Sequence, residues 1–188
     1  MTTVAALVIL LAFFALEGRL RQGAEARSLE AGAADRGTTR EIGAAFAVAI
    51  LLVLLSPFLN AVGLATLPEP FGLAGLAIML VAVAGRVWAA RVLGAAYSLT
   101  LRIVGGQRVV RAGPYRVIRH PGYAADIILW LGAGLATMNW LVLAIILIVM
   151  LAVYLRRVAA EERLLLEAFG DEYRAYARRT WRMLPPLF

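Results

Sequence analysis

Arg111-Ala-Gly-Pro-Tyr-Arg-Val-Ile-Arg-His-Pro-Gly-Tyr123 is a short, polar, cationic stretch between long apolar segments. It holds the only histidine of the chain, His120, and Arg108 just upstream extends the run of Arg111, Arg116 and Arg119. The steps Gly113-Pro114 and His120-Pro121 keep the backbone out of plain helix. Proline fixes its own φ and biases the residue before it toward extended conformations. A connector this rigid beside a bilayer reads as one wall of a pocket, completed by a second polar cluster at Arg157 to Glu162. Apolar helices should therefore flank it on both sides.

Composition agrees. The chain has 188 residues, 62% of them hydrophobic, with a mean hydropathy of +0.81. Soluble domains run at about 45–50% apolar, so this is expected to be one membrane domain over residues 1–188. Without cysteine there is neither a disulfide framework nor a thiolate ligand or nucleophile, and a lone histidine excludes a His-rich metal site. No metal is expected. The net charge of +7 comes from 19 basic residues, all arginine. They cluster in connecting loops, where topology and anionic headgroups explain them better than nucleic acid does. The bilayer is the expected partner, and an arginine-only, lysine-free chain reads as prokaryotic.

Residues 2–17 form a short apolar run with no basic segment before it and no small-x-small cleavage site after Leu16, which reads as a first span rather than a signal peptide. Residues 18–42 read as a polar loop, partly helical near Ala24 to Glu30. Residues 43–66 and 71–93 are long enough to span, with a turn at Leu67-Pro-Glu-Pro70. Arg86 and Arg91 would snorkel outward at the end of the third span. Residues 1–93 thus supply three spans and residues 94–123 a connector with a turn at Gly105-Gly106. Residues 124–157 form a helical hairpin of arms 124–138 and 140–157, broken at Met138-Asn139. Residues 158–188 form an amphipathic tail in which Leu164, Leu165, Ala168, Phe169, Tyr173 and Tyr176 recur at helical spacing. Arginines follow spans one, three and five, whereas the other loops carry only Glu69. The positive-inside rule then puts the N-terminus outside, the C-terminus in the cytoplasm and both polar clusters on the cytoplasmic face.

Arg157 and Glu161 share one helix face. They read either as an i,i+4 ion pair at a membrane boundary or as a functional pair, because ionisable groups at a membrane helix end are costly. Arginine suits bidentate binding of a carboxylate, and glutamate suits an ammonium, a ribose hydroxyl or a sulfonium. His120 is either a histidine that caps a turn or a ligand contact through a ring nitrogen. Tyr115 and Tyr123 are either interfacial aromatics or walls for an adenine or a charged sulfur. Asp126 has no assigned role. Trp130, Trp140 and Trp181 read as interface anchors.

Taken together, these motifs resemble the isoprenylcysteine carboxyl methyltransferase family. The resemblance rests on Val109-Val110, Gly113-Pro114-Tyr115, Arg119-His120-Pro121-Gly122-Tyr123, the helical hairpin, Arg157 to Glu162, Phe169-Gly-Asp-Glu-Tyr173-Arg-Ala-Tyr176 and Pro185. It covers roughly residues 95–188, and the first three spans match only in hydrophobicity. It implies an all-α integral membrane enzyme of about five transmembrane helices that uses S-adenosylmethionine. The cofactor pocket would be cytoplasmic, formed by the connector and the C-terminal helix. Carried over, Gln107, Arg108, Val109, Val110, Tyr115, His120, Pro121, Gly122, Tyr123 and Glu161 are cofactor contacts. Arg157 is the substrate contact, and Arg157 with Glu161 forms the catalytic pair. The acceptor implied is lipophilic or prenylated, in the family's case the carboxylate of an isoprenylcysteine. Ala125 stands where the family often has glycine.

A carboxylate acceptor is already the nucleophile at neutral pH. Arg157 would hold it, Glu161 would fix Arg157 and the cofactor, and positioning would supply about 7–11 kcal/mol in favourable cases. A thiol or amine acceptor would instead make Glu161 a candidate base. Two rivals stand beside this reading. An NADPH-dependent membrane steroid-type reductase would carry a pattern resembling Arg-His-Pro-Asn-Tyr-x-Gly-Glu, where this chain has Gly122 and Ala125-Asp126. A non-catalytic membrane module would leave the clustered polar residues without a purpose.

Overall fold

The computed structural model describes residues 1–21, 35–103 and 107–186. Among them the chain is helical, without named strands: α1 Thr2–Leu20, α2 Thr38–Ala61, α3 Glu69–Leu93, α4 Pro121–Ala136 and α5 Trp140–Ala177. Short 3-10 turns at Gly94–Ala96 and Gly113–Arg116 punctuate the connector. The turn expected at Gly105-Gly106 and the helical piece at Ala24 to Glu30 lie outside the described residues.

α1, α2, α3 and α5 are each long and apolar enough to cross a membrane. α4 has 16 residues, about 24 Å of helix against a hydrocarbon core of about 30 Å. It is sheltered instead, with ten of its residues buried, Leu129, Trp130 and Ala133 among them. Most of the large apolar side chains left exposed, such as Val8, Leu51, Phe58, Leu80 and Ile148, lie on the four long helices. That pattern suits lipid, because a bilayer takes apolar surface that water would not. The chain is an all-helical integral membrane protein.

Local chemistry sets the helix ends. Pro70 and Pro121 sit in the first turns of α3 and α4, where a missing N–H costs nothing. Asn139 starts α5 by accepting a hydrogen bond from the Val142 amide at 3.1 Å, and its own amide donates to Asn60 Oδ1 and the Leu64 carbonyl. Those bonds end α2 earlier than the hydropathy of 43–66 suggests. The chain leaves the helix after Ala61, and Gly63 takes a left-handed φ of 72°. At its other end α2 reaches back to Thr38, because the Asp35 carboxylate accepts from the Thr39 amide at 3.2 Å and the Thr39 hydroxyl at 2.7 Å. α5 runs on through the expected end of the last span to Ala177, with one break at Gly170, where φ is 52°.

α3 and α4 pack backbone to backbone. A Cβ on Gly132 would lie 2.6 Å from the Gly75 carbonyl oxygen, and one on Gly75 would lie 2.5 Å from that of Gly132. Small residues permit such an approach in membranes. Gly132→Leu should push the two helices apart and cost about 3 kcal/mol or more, read as a lower thermal-unfolding midpoint in detergent. An unchanged midpoint would contradict the close packing. Ala125, the departure from the family's glycine, meets another glycine: a Cβ built on Gly85 would come to 3.9 Å from the Ala125 methyl.

Two sequence expectations are corrected. Trp130 is no interface anchor. It is wholly buried in the core, its ring 5.4 Å from that of Phe46, whereas Trp140 and Trp181 are exposed. Arg86 does not snorkel outward but turns inward, because two buried carboxylates wait there: it donates to Glu17 of α1 at 2.9 Å and lies 3.4 Å from Asp126 of α4.

Candidate active site

The connector returns over one end of the helix bundle and is held there by the C-terminal strip. The Arg119 amide donates to the Trp181 carbonyl at 2.8 Å, the His120 amide to the Arg182 carbonyl at 3.0 Å, and the Trp181 amide to the Val117 carbonyl at 3.0 Å. Tyr176 of α5 donates to the Tyr115 carbonyl at 2.9 Å. Gly113, with φ of 53°, presses the same connector onto Val92 and Trp88 of α3. Connector, α3, α4 and α5 thereby enclose one cavity.

Of the residues expected at a cofactor or substrate site, Gln107, Arg108, Val109, Val110, Tyr115, His120, Gly122, Tyr123, Arg157 and Glu161 all line this cavity. Pro121 does not; it is buried at the start of α4 and sets the direction of that helix. The walls that the sequence did not assign to a site include Arg86, Tyr97, Thr100, Leu101 and Tyr173. Burial raises the Tyr115 hydroxyl well above its usual range, so that wall stays neutral. Gly122 leaves room for the Arg86 guanidinium, which would lie 2.5 Å from any Cβ there.

His120 sits between two carboxylates. Its Nε2 is 3.3 Å from Glu162 Oε1, its Nδ1 is 3.9 Å from Glu161 Oε2, and its ring stacks on Tyr123 with centroids 5.8 Å apart. No acidic residue flanks His120 in sequence; the fold of α5 onto the connector supplies both. Glu162 also accepts from Arg119 Nε at 2.6 Å and pairs with Arg182 Nη2 at 2.9 Å. Glu161 Oε2, by contrast, is buried with no hydrogen-bond partner among the described residues.

Arg157 does not form the i,i+4 pair with Glu161 that its spacing suggested. Its Nη1 pairs with Asp35 and donates to Thr38 Oγ1 at 2.9 Å and Thr39 Oγ1 at 3.0 Å. Its Nε donates to the Tyr123 hydroxyl at 3.1 Å and its Nη2 to the Leu99 carbonyl at 3.0 Å. Asp35 lies so close that its carboxylate outcompetes Glu161, one helical turn away, for the cation. Burial alone would raise the Asp35 carboxyl, but hydrogen bonds from Thr39 and the charge of Arg157 hold it below the usual aspartate value of 3.8. Its stabilising contribution is present above that value and lost as pH falls through the depressed one. Nothing in the sequence marked Asp35, because the residues that receive it are far away in the chain.

A second buried cluster adjoins the cavity. Tyr97 donates to Glu17, Glu17 also pairs with Arg21 at 2.7 Å, and Tyr154 donates to Asp126 Oδ2 at 2.8 Å. Asp126, without a role in the sequence, is thus a partner of Arg86 and Tyr154. α1 is tied through Glu17 to the cavity wall.

Comparisons with known proteins point the same way. A bacterial relative, the cobalt-zinc-cadmium resistance protein CzcN of Cupriavidus metallidurans, is 32% identical over 60% of this chain and 48% of its own. A rice protein described as a probable protein-S-isoprenylcysteine O-methyltransferase is 28% identical over 59% of each chain. Methanethiol S-methyltransferase 1 of Bradyrhizobium diazoefficiens is 35% identical over 38% of this chain and 24% of its own. The chain spans about half the length of the first two relatives. The solved structure of a eukaryotic intramembrane Ras methyltransferase, isoprenylcysteine carboxyl methyltransferase, shares the fold with a TM-score of 0.65 at 19% identity, over 78% of this chain and 52% of that one. Residues 75–167, from the second turn of α3 to the polar part of α5, match the isoprenylcysteine carboxyl methyltransferase family.

Proposed function

We propose that this protein is a membrane methyltransferase that uses S-adenosylmethionine to methylate a lipophilic acceptor. The observation that carries the reading is the convergence of Val109, Tyr115, His120, Tyr123, Arg157 and Glu161, from the connector, α4 and α5, on one cavity. The walls fit the cofactor. Glu161 offers a cation a buried carboxylate oxygen that has no partner among the described residues, and Tyr115 and Tyr123 offer aromatic surface that a sulfonium or an adenine favours.

When bound, S-adenosylmethionine supplies an electrophilic methyl on a positively charged sulfur. The protein's part is positioning. His120 and Tyr123 make one stacked wall, Glu161 sets the negative charge, and the Arg157 fork ties α5 to the start of α2, to Leu99 and to Tyr123. The acceptor keeps its apolar tail in the bilayer and enters between helices. In this reading the arginine-rich loops face the cytoplasm by the positive-inside rule, α4 passes through the membrane sheltered by the other helices, and the N-terminus lies outside and the C-terminus inside. The acceptor group stays open between the two chemistries the relatives' names carry: an isoprenylcysteine carboxylate, which would have to take Arg157 from Asp35, and a thiol.

Incubation of the protein in liposomes with methyl-labelled S-adenosylmethionine and a total membrane-lipid extract should move label into an organic-soluble product. Label appearing only in water-soluble products would contradict a lipophilic acceptor. The reductase reading gains no support from the relatives found.

A further inference from the structure

Building on the methyltransferase reading, we infer that the acceptor is a lipophilic thiol rather than a carboxylate, with Asp35 setting that specificity and Glu161 taking the thiol proton. Two separate features of the cavity carry this. The first is that Arg157 is already neutralised. A guanidinium has five N–H donors; in Arg157 the two on Nη1 are shared among Asp35, Thr38 and Thr39, Nε donates to Tyr123 and one Nη2 N–H to the Leu99 carbonyl, so the face toward Asp35 is fully taken. The pair is deeply enclosed, with side chains 4% and 1% exposed for Arg157 and Asp35. An acceptor carboxylate would therefore meet a cation whose charge is spent and an anion held against it. Expelling Asp35 would strand its charge in a buried pocket.

The second feature is Glu161. Glu161 lines the same cavity, and its Oε2 is buried with no hydrogen-bond partner among the described residues, with His120 Nδ1 3.9 Å away and Glu162 on the far side of that ring. A carboxylate acceptor would be repelled here, whereas an acceptor that must lose a proton finds a base. Among neutral nucleophiles the thiol suits a carboxylate base best, being the most acidic of them: its pKa is about 8.5 in cysteine and higher in a simple alkanethiol, and it is uncharged at neutral pH. A hydroxyl is far too weak an acid for that base. An amine, with a pKa of about 10.4, would arrive as an ammonium with no free lone pair.

In the step, the acceptor sulfur forms a bond to the methyl carbon as the sulfonium–methyl bond breaks. The electron pair of the broken bond stays on the departing sulfur, giving a neutral thioether. The thiol proton passes to Glu161 Oε2, giving a methyl thioether and a neutral carboxylic acid. Oε2 is buried but the Glu161 side chain as a whole is a quarter exposed, so rotation of the carboxyl group returns the proton to water.

The test uses the full chain in detergent micelles, with dodecanethiol and dodecanoate as probes and S-adenosylhomocysteine binding measured first. Wild-type protein loaded with S-adenosylhomocysteine should bind dodecanethiol and bind dodecanoate about tenfold more weakly or worse. Supplied with labelled S-adenosylmethionine, it should form the thioether and little ester. Asp35→Asn should raise dodecanoate affinity by about tenfold while S-adenosylhomocysteine affinity holds. Glu161→Gln at saturating cofactor should lose about 100-fold in thioether formation at neutral pH. Its residual rate should then climb about tenfold per pH unit toward the thiol pKa, because only preformed thiolate reacts. That profile needs no Asp35 variant and stands even where Asp35→Asn fails to fold. Ester formation from dodecanoate as fast as thioether formation, or a Glu161→Gln rate that keeps the wild-type pH profile, would overturn the thiol inference and leave the methyltransferase reading in place. Loss of all S-adenosylhomocysteine binding by the wild type would instead take down that reading and this inference with it.

Discussion

Arg86→Met is expected to cost the protein about 3–5 kcal/mol, the usual penalty for removing one partner of a buried ion pair. Arg86 carries the positive charge between Glu17 of α1 and Asp126 of α4, and all three are nearly enclosed. Without it, Asp126 keeps only the Tyr154 hydroxyl, and its Oδ1 already lacks a partner among the described residues. Glu17 keeps Arg21 and Tyr97. Two carboxylates would then face each other in a low-dielectric interior. The check is thermal unfolding in detergent, followed by the loss of helical signal. Adding Glu17→Gln and Asp126→Asn to Arg86→Met should recover much of the loss, because the stranded charges go with the cation. A triple variant no more stable than the single one would show that Arg86 acts through packing on Gly122 and Tyr97 rather than through charge.

Arg157→Lys should fail in a different way. It keeps the charge opposite Asp35 but loses the fork, and an ammonium cannot serve Thr38, Thr39, the Leu99 carbonyl and the Tyr123 hydroxyl at once. Those contacts set the distance between α2, the connector and α4 around the cavity. A displacement of about 1 Å in such a site costs about 100-fold in rate, so methyl transfer should fall by about that factor. The unfolding midpoint should drop much less, because the ion pair survives. Near-normal turnover with intact cofactor binding would show that the fork is not needed.

Much of this arrangement was legible from residues 95–188. Proline steps, the lone histidine and the Arg157–Glu162 cluster have local signatures, and their spacing along the chain limits where they can meet. The turn at Met138-Asn139 was legible for the same reason: it interrupts two apolar runs. What escaped was long-range pairing between polar residues that look unremarkable in place. Asp35 sits in a polar loop and Glu17 at the end of an apolar run, and neither carries a local pattern that names its partner. Arg86 misled because an arginine near a span's end ordinarily reaches water, and only the fold shows Glu17 and Asp126 beside it. Trp130 misled likewise, since tryptophan favours interfaces in general, yet α4 is too short and too enclosed to show it to lipid. The second span slipped by several residues because hydropathy cannot see that Asn139 captures Asn60 and Leu64 and turns the chain there.

Isothermal titration of the detergent-purified full chain with S-adenosylhomocysteine, with NADPH in a parallel cell, tests most directly whether the cavity is a site for the methyl donor. S-adenosylhomocysteine should bind, and His120→Ala should weaken it by about tenfold or more through loss of the ring stacked on Tyr123. NADPH should give no heat. Binding of NADPH alone, or S-adenosylhomocysteine binding untouched by His120→Ala, would contradict the assignment of this cavity.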